Sequence, residues 1–157
     1  MAVLLRPAQA EDEDFLYELY CSSVGGDLTA LDAGHRDVIL RMQFNAQHQS
    51  YKAEFPRAEH QIIMLDGRAI GRVLVERTEN EHRGVDIALM PGERGGGIGR
   101  MLIQELLDEA ASAGKPFRIS VVRTNPAMHL YNRLGFKTTG ETLTHFMLEW
   151  VSEKHEP

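Results

Sequence analysis

Residues 94–100, Arg-Gly-Gly-Gly-Ile-Gly-Arg, decide the fold of this chain. They follow an apolar run, Val85 to Met90, that reads as a strand, and they open a run with helical spacing from Ile98 to Ala113. A strand, a loop of glycines and arginines, and then a helix make a site for an anion. The first turn of a helix has backbone N–H groups without helical partners, and its dipole favours negative charge. Glycines permit positive φ and let a large phosphate approach the backbone closely.

The elements around this loop follow from hydrophobic periodicity and breaker residues. Ala2 to Arg6 reads as a short strand closed by Pro7, and Glu11 to Cys21 as a helix with Phe15, Leu16, Leu19 and Tyr20 on one face. Gly25-Gly26-Asp27 breaks that pattern, and Ala33 to Glu54 holds one or two helices with Val38, Ile39, Met42 and Phe44 at helical spacing. Gln61 to Leu65 and Ala69 to Glu76 form a hairpin across Asp66-Gly67, because a type I′ turn needs positive φ at both central positions. After the loop, Ile98, Leu102, Ile103, Leu106 and Ala110 share a helix face that ends at Gly114. Phe117 to Val122 is a strand, Ala127 to Leu134 a short helix, and Phe136 to Thr139 and Leu143 to Trp150 closing strands. The tail from Val151 to Pro157 is polar and frayed. The whole is an α/β three-layer pattern around a mixed sheet, without repeat or linker, and so a single domain over residues 1–157.

Composition narrows the functions. The chain has 157 residues, 43% apolar and 25% charged, the profile of an ordinary globular protein. A net charge of −6 argues against nonspecific nucleic-acid binding. Cys21 is the single cysteine, so no internal disulfide can form; a reducing, cytoplasmic setting is expected, with Cys21 a small buried helix residue and not a nucleophile. Met1 to Ala10 lacks the pattern of a secretory signal, and no apolar run approaches the roughly 18–20 residues of a membrane span. The histidines, His35, His48, His60, His82, His129, His145 and His155, show no paired spacing, so no metal site is expected.

The loop fails the nucleotide motifs. A P-loop needs Gly-Lys-Ser/Thr at its end, and this loop has neither the lysine nor the hydroxyl. In a Gly-x-Gly-x-x-Gly fingerprint begun at Gly95 or Gly97, the third glycine position holds Arg100 or Leu102. What remains is Arg94-x-x-Gly97-x-Gly99 after a strand. This resembles the acyl-CoA signature of the GNAT acetyltransferase superfamily. Ile87-Ala88-Leu89-Met90-Pro91 looks like the family's fourth strand, and Asn125-Pro126-Ala127 with Leu130-Tyr131-Asn132-Arg133-Leu134-Gly135-Phe136 like its later motif. The order and spacing match over Gly84 to Phe136.

The resemblance implies a GNAT-like three-layer α/β/α fold, its central mixed, mostly antiparallel sheet splayed at strands 4 and 5. It implies transfer of an acetyl group from acetyl-CoA to a primary amine by direct attack in a ternary complex. Ile87, Ala88 and Leu89 would hydrogen-bond the pantetheine arm. The pyrophosphate would rest on backbone N–H groups of Gly95, Gly96, Gly97, Ile98, Gly99 and Arg100, with charge from Arg94 and Arg100. Asn125 matches the asparagine that contacts pantetheine, although alignment from Tyr131 puts Thr124 there, and Asn125 also suits a helix cap. Tyr131 would be the general acid that protonates the departing thiolate.

The base is less defined. The strand position used by some relatives falls at Ile119 or Ser120, neither of which can accept a proton. Asp86 is the alternative, acting through water or only orienting a loop, with Glu76 behind it; His129 reads as a surface residue. The acceptor groove would be built from Cys21 to Phe55. Gln43, Phe44, Gln47 and Tyr51 could line it, or Phe44 and Tyr51 could pack an amphipathic helix on the sheet. The acceptor is a small-molecule or peptide amine, and Thr142 to Trp150 could pair two subunits into a homodimer. The competing reading is a noncatalytic acyl-CoA-binding sensor on the same fold.

Overall fold

The computed structural model describes residues 2–24 and 32–153; the break at Gly25-Gly26-Asp27 and the end of the tail lie outside them. In chain order the elements are β1 (Val3–Pro7), α1 (Glu13–Val24), α2 (Ala33–Glu54), β2 (Glu59–Leu65), β3 (Arg68–Arg77), β4 (His82–Leu89), α3 (Ile98–Ala113), β5 (Phe117–Val122), α4 (Met128–Leu134), β6 (Lys137–Glu141) and β7 (His145–Trp150). The strands hydrogen-bond as one open mixed sheet in the order β1-β2-β3-β4-β5-β7-β6. The chain divides into two compact units, Met1–Leu74 with Asp86–Arg94, and Val75–Val85 with Gly95–Pro157.

In the first unit, β1 pairs antiparallel with β2, Val3 opposite Leu65 and Pro7 opposite Gln61. β2 turns into β3 at Asp66-Gly67, whose φ values of 49° and 84° are the two positive angles of the expected turn. Leu16 of α1, Phe44 of α2 and Ile62 of β2 form a buried cluster, closed by Phe15, Tyr17, Tyr20 and Met64. Tyr17 and Tyr20 both set their rings on Phe44, at centroid distances of 5.5 and 5.7 Å. Asp32 caps α2 by accepting from the His35 N–H at 2.9 Å. The expected apolar face of α2 is partly wrong: Val38 and Met42 are 59% and 68% exposed, and Leu40 and Phe44 are buried. A stripe four residues apart faces inward, and the other apolar residues fall on the outer side.

In the second unit, α3 buries Ile98, Leu102, Ile103, Leu106, Leu107 and Ala110, and ends at Gly114 in the left-handed region. β5 pairs antiparallel with β7 along its length, and β7 with β6. Trp150 donates its indole N–H to the Leu134 carbonyl at 3.1 Å, tying the end of β7 to α4. β4 pairs parallel with β5 at His82–Gly84 opposite Phe117–Ile119. This is the parallel pair of an otherwise antiparallel arrangement at the centre of the expected mixed sheet.

Boundaries move most where polar residues pair. β4 begins at His82, three residues before the apolar run that announced it. His82 is buried with Nδ1 3.6 Å from Glu109, so a polar residue starts the strand once it has a partner. Leu143, expected at the start of the last strand, is 96% exposed, and β7 starts at His145. Cys21 is half-buried and not fully enclosed.

Candidate active site

The glycine loop takes the geometry its sequence demands. Gly95 and Gly97 sit at φ 85° and 88°, where other residues are strained, and an added Cβ at either would meet nothing within 4 Å. The need is therefore conformational, and the space over the loop is open. Gly97 is the N-cap of α3 and has no side chain to offer; its carbonyl accepts from Met101 N–H at 3.0 Å. The N–H groups of Ile98, Gly99 and Arg100 are those of the first helical turn, which a helix leaves to a ligand or water.

Two other residues named from sequence lie in this second unit. Tyr131 is buried on α4, its ring 5.4 Å from that of Phe136 and tilted by 68°. Its backbone N–H donates to the Ala127 carbonyl and its carbonyl accepts from Phe136 N–H, which fixes the residue's place on α4. Asn125 accepts the Ala127 N–H on Oδ1 at 2.8 Å, which closes a turn just ahead of α4; the N-cap itself is Ala127 and not, as the sequence suggested, Asn125. His129 is exposed, as expected, and Ser120 is exposed beside buried Ile119.

The remaining site residues lie in the first unit. Ile87, Ala88 and Leu89 are half-buried on β4. Arg94 is exposed and turns its side chain back, with Nε donating to the Leu89 carbonyl at 3.2 Å. Gly71 on β3 makes room for β4: a Cβ there would lie 2.2 Å from the Ala88 carbonyl oxygen.

Asp86 is not alone. Arg72 on β3 is buried, and its Nε donates to Asp86 Oδ2 at 2.9 Å. Its Nη2 donates to the same oxygen and to Gln47 Oε1, the latter at 3.2 Å. The guanidinium also lies 5.9 Å from the centre of the Tyr51 ring. Burial, then the negative charge of Asp86, push the Tyr51 hydroxyl up to about 12. So Gln47 and Tyr51 of the proposed acceptor helix meet at Arg72, whereas Phe44 enters the core and Gln43 faces solvent. Arg72 escaped the sequence reading. Its signal is there: a charged residue inside the run Ala69 to Val75 must find a buried partner.

His60, at the start of β2, has its Nε2 buried without a hydrogen-bond partner. Burial first, and the positive charge of Arg72 second, hold its imidazole down to about 4 from an ordinary 6.5. The folded chain thus binds fewer protons than the unfolded chain between those values, and stability falls as pH drops from about 6.5 toward about 4. The thermal midpoint of the protein should fall more between pH 7 and 4.5 than that of His60→Gln. Equal falls would remove His60 from the acid response. Asp12 acts in a lower window: its hydrogen bonds from Arg6 hold it near 2, and that stabilisation is lost only as pH falls from 3.8 toward 2.

Among the described residues no cluster of three or more acidic, histidine or cysteine side chains could hold a metal ion, and no helix is long and apolar enough to cross a membrane.

The sequence profile of the acetyltransferase (GNAT) domain matches residues 56–138, just over half of the chain. The chain belongs to the GNAT acetyltransferase family. It is accordingly an acyltransferase. Among curated proteins none matches it. Solved structures carry the same fold at low identity. A PaiA N-acetyltransferase from Thermoplasma acidophilum, in complex with coenzyme A, is 18% identical, with TM-score 0.73 over 97% of this chain and 100% of that one. PH1933 from Pyrococcus horikoshii is 17% identical, with TM-score 0.71 over 97% and 99%. The ribosomal-protein-S18-alanine N-acetyltransferase from Escherichia coli is 17% identical, with TM-score 0.65 over 96% and 94%.

Proposed function

We propose that this GNAT protein transfers an acetyl group from acetyl-CoA to a primary amine, by direct attack and without a covalent enzyme intermediate. The observation that carries the reading is the Gly95–Arg100 loop, with two glycines at positive φ and a helix N-terminus open above it. A relative of the same fold in complex with coenzyme A supports a coenzyme A thioester as donor. The pyrophosphate lies on the N–H groups of Gly95, Gly96, Gly97, Ile98, Gly99 and Arg100. The arm follows the backbone of Ile87, Ala88 and Leu89. Arg94 has first to release the Leu89 carbonyl, after which its charge is available to phosphate. Asn125 keeps its turn contact through Oδ1 and offers its amide N–H₂ to the arm.

The amine nitrogen attacks the thioester carbonyl, a C–N bond forms, and the C–S bond breaks. Tyr131 Oη gives its proton to the leaving sulfur. Asp86 accepts the proton of the acceptor ammonium through water. The products are an amide and the free thiol. Residues 1–157 act as a single domain in this reading, supported by a family match that spans parts of both units. The setting is cytoplasmic and the acceptor a small molecule or peptide; β7, expected from sequence to pair two subunits, is taken on both sides by β5 and β6, which leaves β6 as the edge for such a pairing.

Initial velocities measured while acetyl-CoA and amine are both varied test the mechanism. Intersecting double-reciprocal lines, with activity kept in Cys21→Ser, are expected. Parallel lines would contradict direct attack and indicate a covalent acyl-enzyme.

A further inference from the structure

The grip of Arg72 on Asp86 differs from the forked Arg–carboxylate pairs of this chain. Arg6 places Nη1 and Nη2 on the two different oxygens of Asp12, at 2.8 and 2.7 Å. Arg83 places Nε and Nη2 on the two oxygens of Glu81, at 2.5 and 3.1 Å. Arg77 does the same to Glu109. Such a fork uses up the carboxylate and serves the fold. Arg72 instead puts both Nε and Nη2 on Oδ2 of Asp86. Among the described residues, Oδ1 accepts no hydrogen bond.

The exposure of the pair has the same sense. The Arg72 side chain is 8% exposed and that of Asp86 27%. The guanidinium is enclosed, with Gln47 occupying a further N–H, while the carboxylate keeps contact with solvent. A buried arginine without its partner is strongly unfavourable, so Asp86 Oδ2 is held in place by the cost of leaving. One oxygen is fixed, and the other accepts no hydrogen bond among the described residues.

We infer that Arg72 is a positioning residue for the acceptor amine: it clamps Asp86 through Oδ2 so that Oδ1 takes up the acceptor's proton through the intervening water. Gln47 and Tyr51 of α2 complete the clamp by holding the guanidinium from its other side. The inference rests on the N-acetyltransferase reading and adds to it how the acceptor is oriented. The chemistry it selects is an amine, because the remaining carboxylate oxygen can accept a proton and has none to give an anionic acceptor.

The test is steady-state kinetics with acetyl-CoA and the best acceptor from a panel of α,ω-diamines and peptides with free N-termini. Arg72→Met is expected to lower kcat/KM for the amine by about 10–100-fold, the scale of a misplaced reacting group, with the KM for acetyl-CoA unchanged. Asp86→Asn should cost at least as much. The double variant should be no worse than Asp86→Asn, because Arg72 acts only through that carboxylate. Arg72→Lys, which keeps charge and loses the two-donor grip, should fall between; it carries the same comparison if Arg72→Met does not fold. Losses that multiply in the double variant, or an equal rise in the acetyl-CoA KM, would assign Arg72 to the fold alone and overturn the inference. A wild-type protein inactive on the whole panel would overturn the N-acetyltransferase reading, and this inference with it.

Discussion

Tyr131→Phe is expected to lower kcat by about 10²–10⁴-fold while leaving the affinity for acetyl-CoA unchanged. The hydroxyl is the only group the substitution removes, and it is the group assigned to protonate the leaving sulfur. The ring is buried against Phe136 and its backbone is fixed at both ends of α4, so Phe keeps the packing and the position. A thiolate is a poor leaving group until it is protonated, which is why one positioned hydroxyl carries so large an effect. Turnover unchanged on a true acceptor would take Tyr131 out of the acid role. A fall in stability matching the fall in rate would assign the tyrosine to the core of its unit.

Gly71→Ala should be the most damaging single methyl group in the first unit. The new Cβ would lie 2.2 Å from the Ala88 carbonyl oxygen, 3.0 Å from the Leu89 side chain and 3.1 Å from that of Ile63. The nearest atom is backbone, so a rotamer change cannot relieve the contact, and β3 and β4 must move apart. Overpacking of this kind costs about 1–3 kcal/mol and occasionally more, with a fall in Tm of roughly 2–4 °C per kcal/mol at this chain length. Ala88 also lies on the stretch assigned to the pantetheine arm, so acetyl-CoA affinity should fall together with Tm. Calorimetry and coenzyme titration on the same variant check both, and an unchanged Tm would contradict the close approach of the two strands.

Much of the fold was legible because local and global preferences agree. The Asp66-Gly67 turn, the five named residues of the α3 face and the Gly114 cap each announce themselves in a few residues, and each is found as expected. What was hidden depends on partners distant in sequence. β4 starts early because His82 meets Glu109, and Arg72 sits in an apolar strand because Asp86 and Gln47 wait for it. No period or motif records such pairings. The inner face of α2 was misassigned for a related reason: Val38 and Met42 match a helical spacing as well as Leu40 and Phe44 do, and only the packed sheet chooses between them. The glycine loop was legible because its requirement is carried by its own backbone. The acceptor was not, since the side chains proposed to orient it, Gln47 and Tyr51 on α2, Arg72 on β3 and Asp86 on β4, are far apart in the chain.

The central claim is that this chain passes an acetyl group to a primary amine. Incubation of the purified protein with acetyl-CoA, with and without a panel of primary amines, and detection of the free thiol tests it most directly. Thiol release that requires both the protein and at least one amine is expected. Binding of acetyl-CoA with no amine-dependent thiol release across the panel would contradict it, and would identify a sensor of the coenzyme instead.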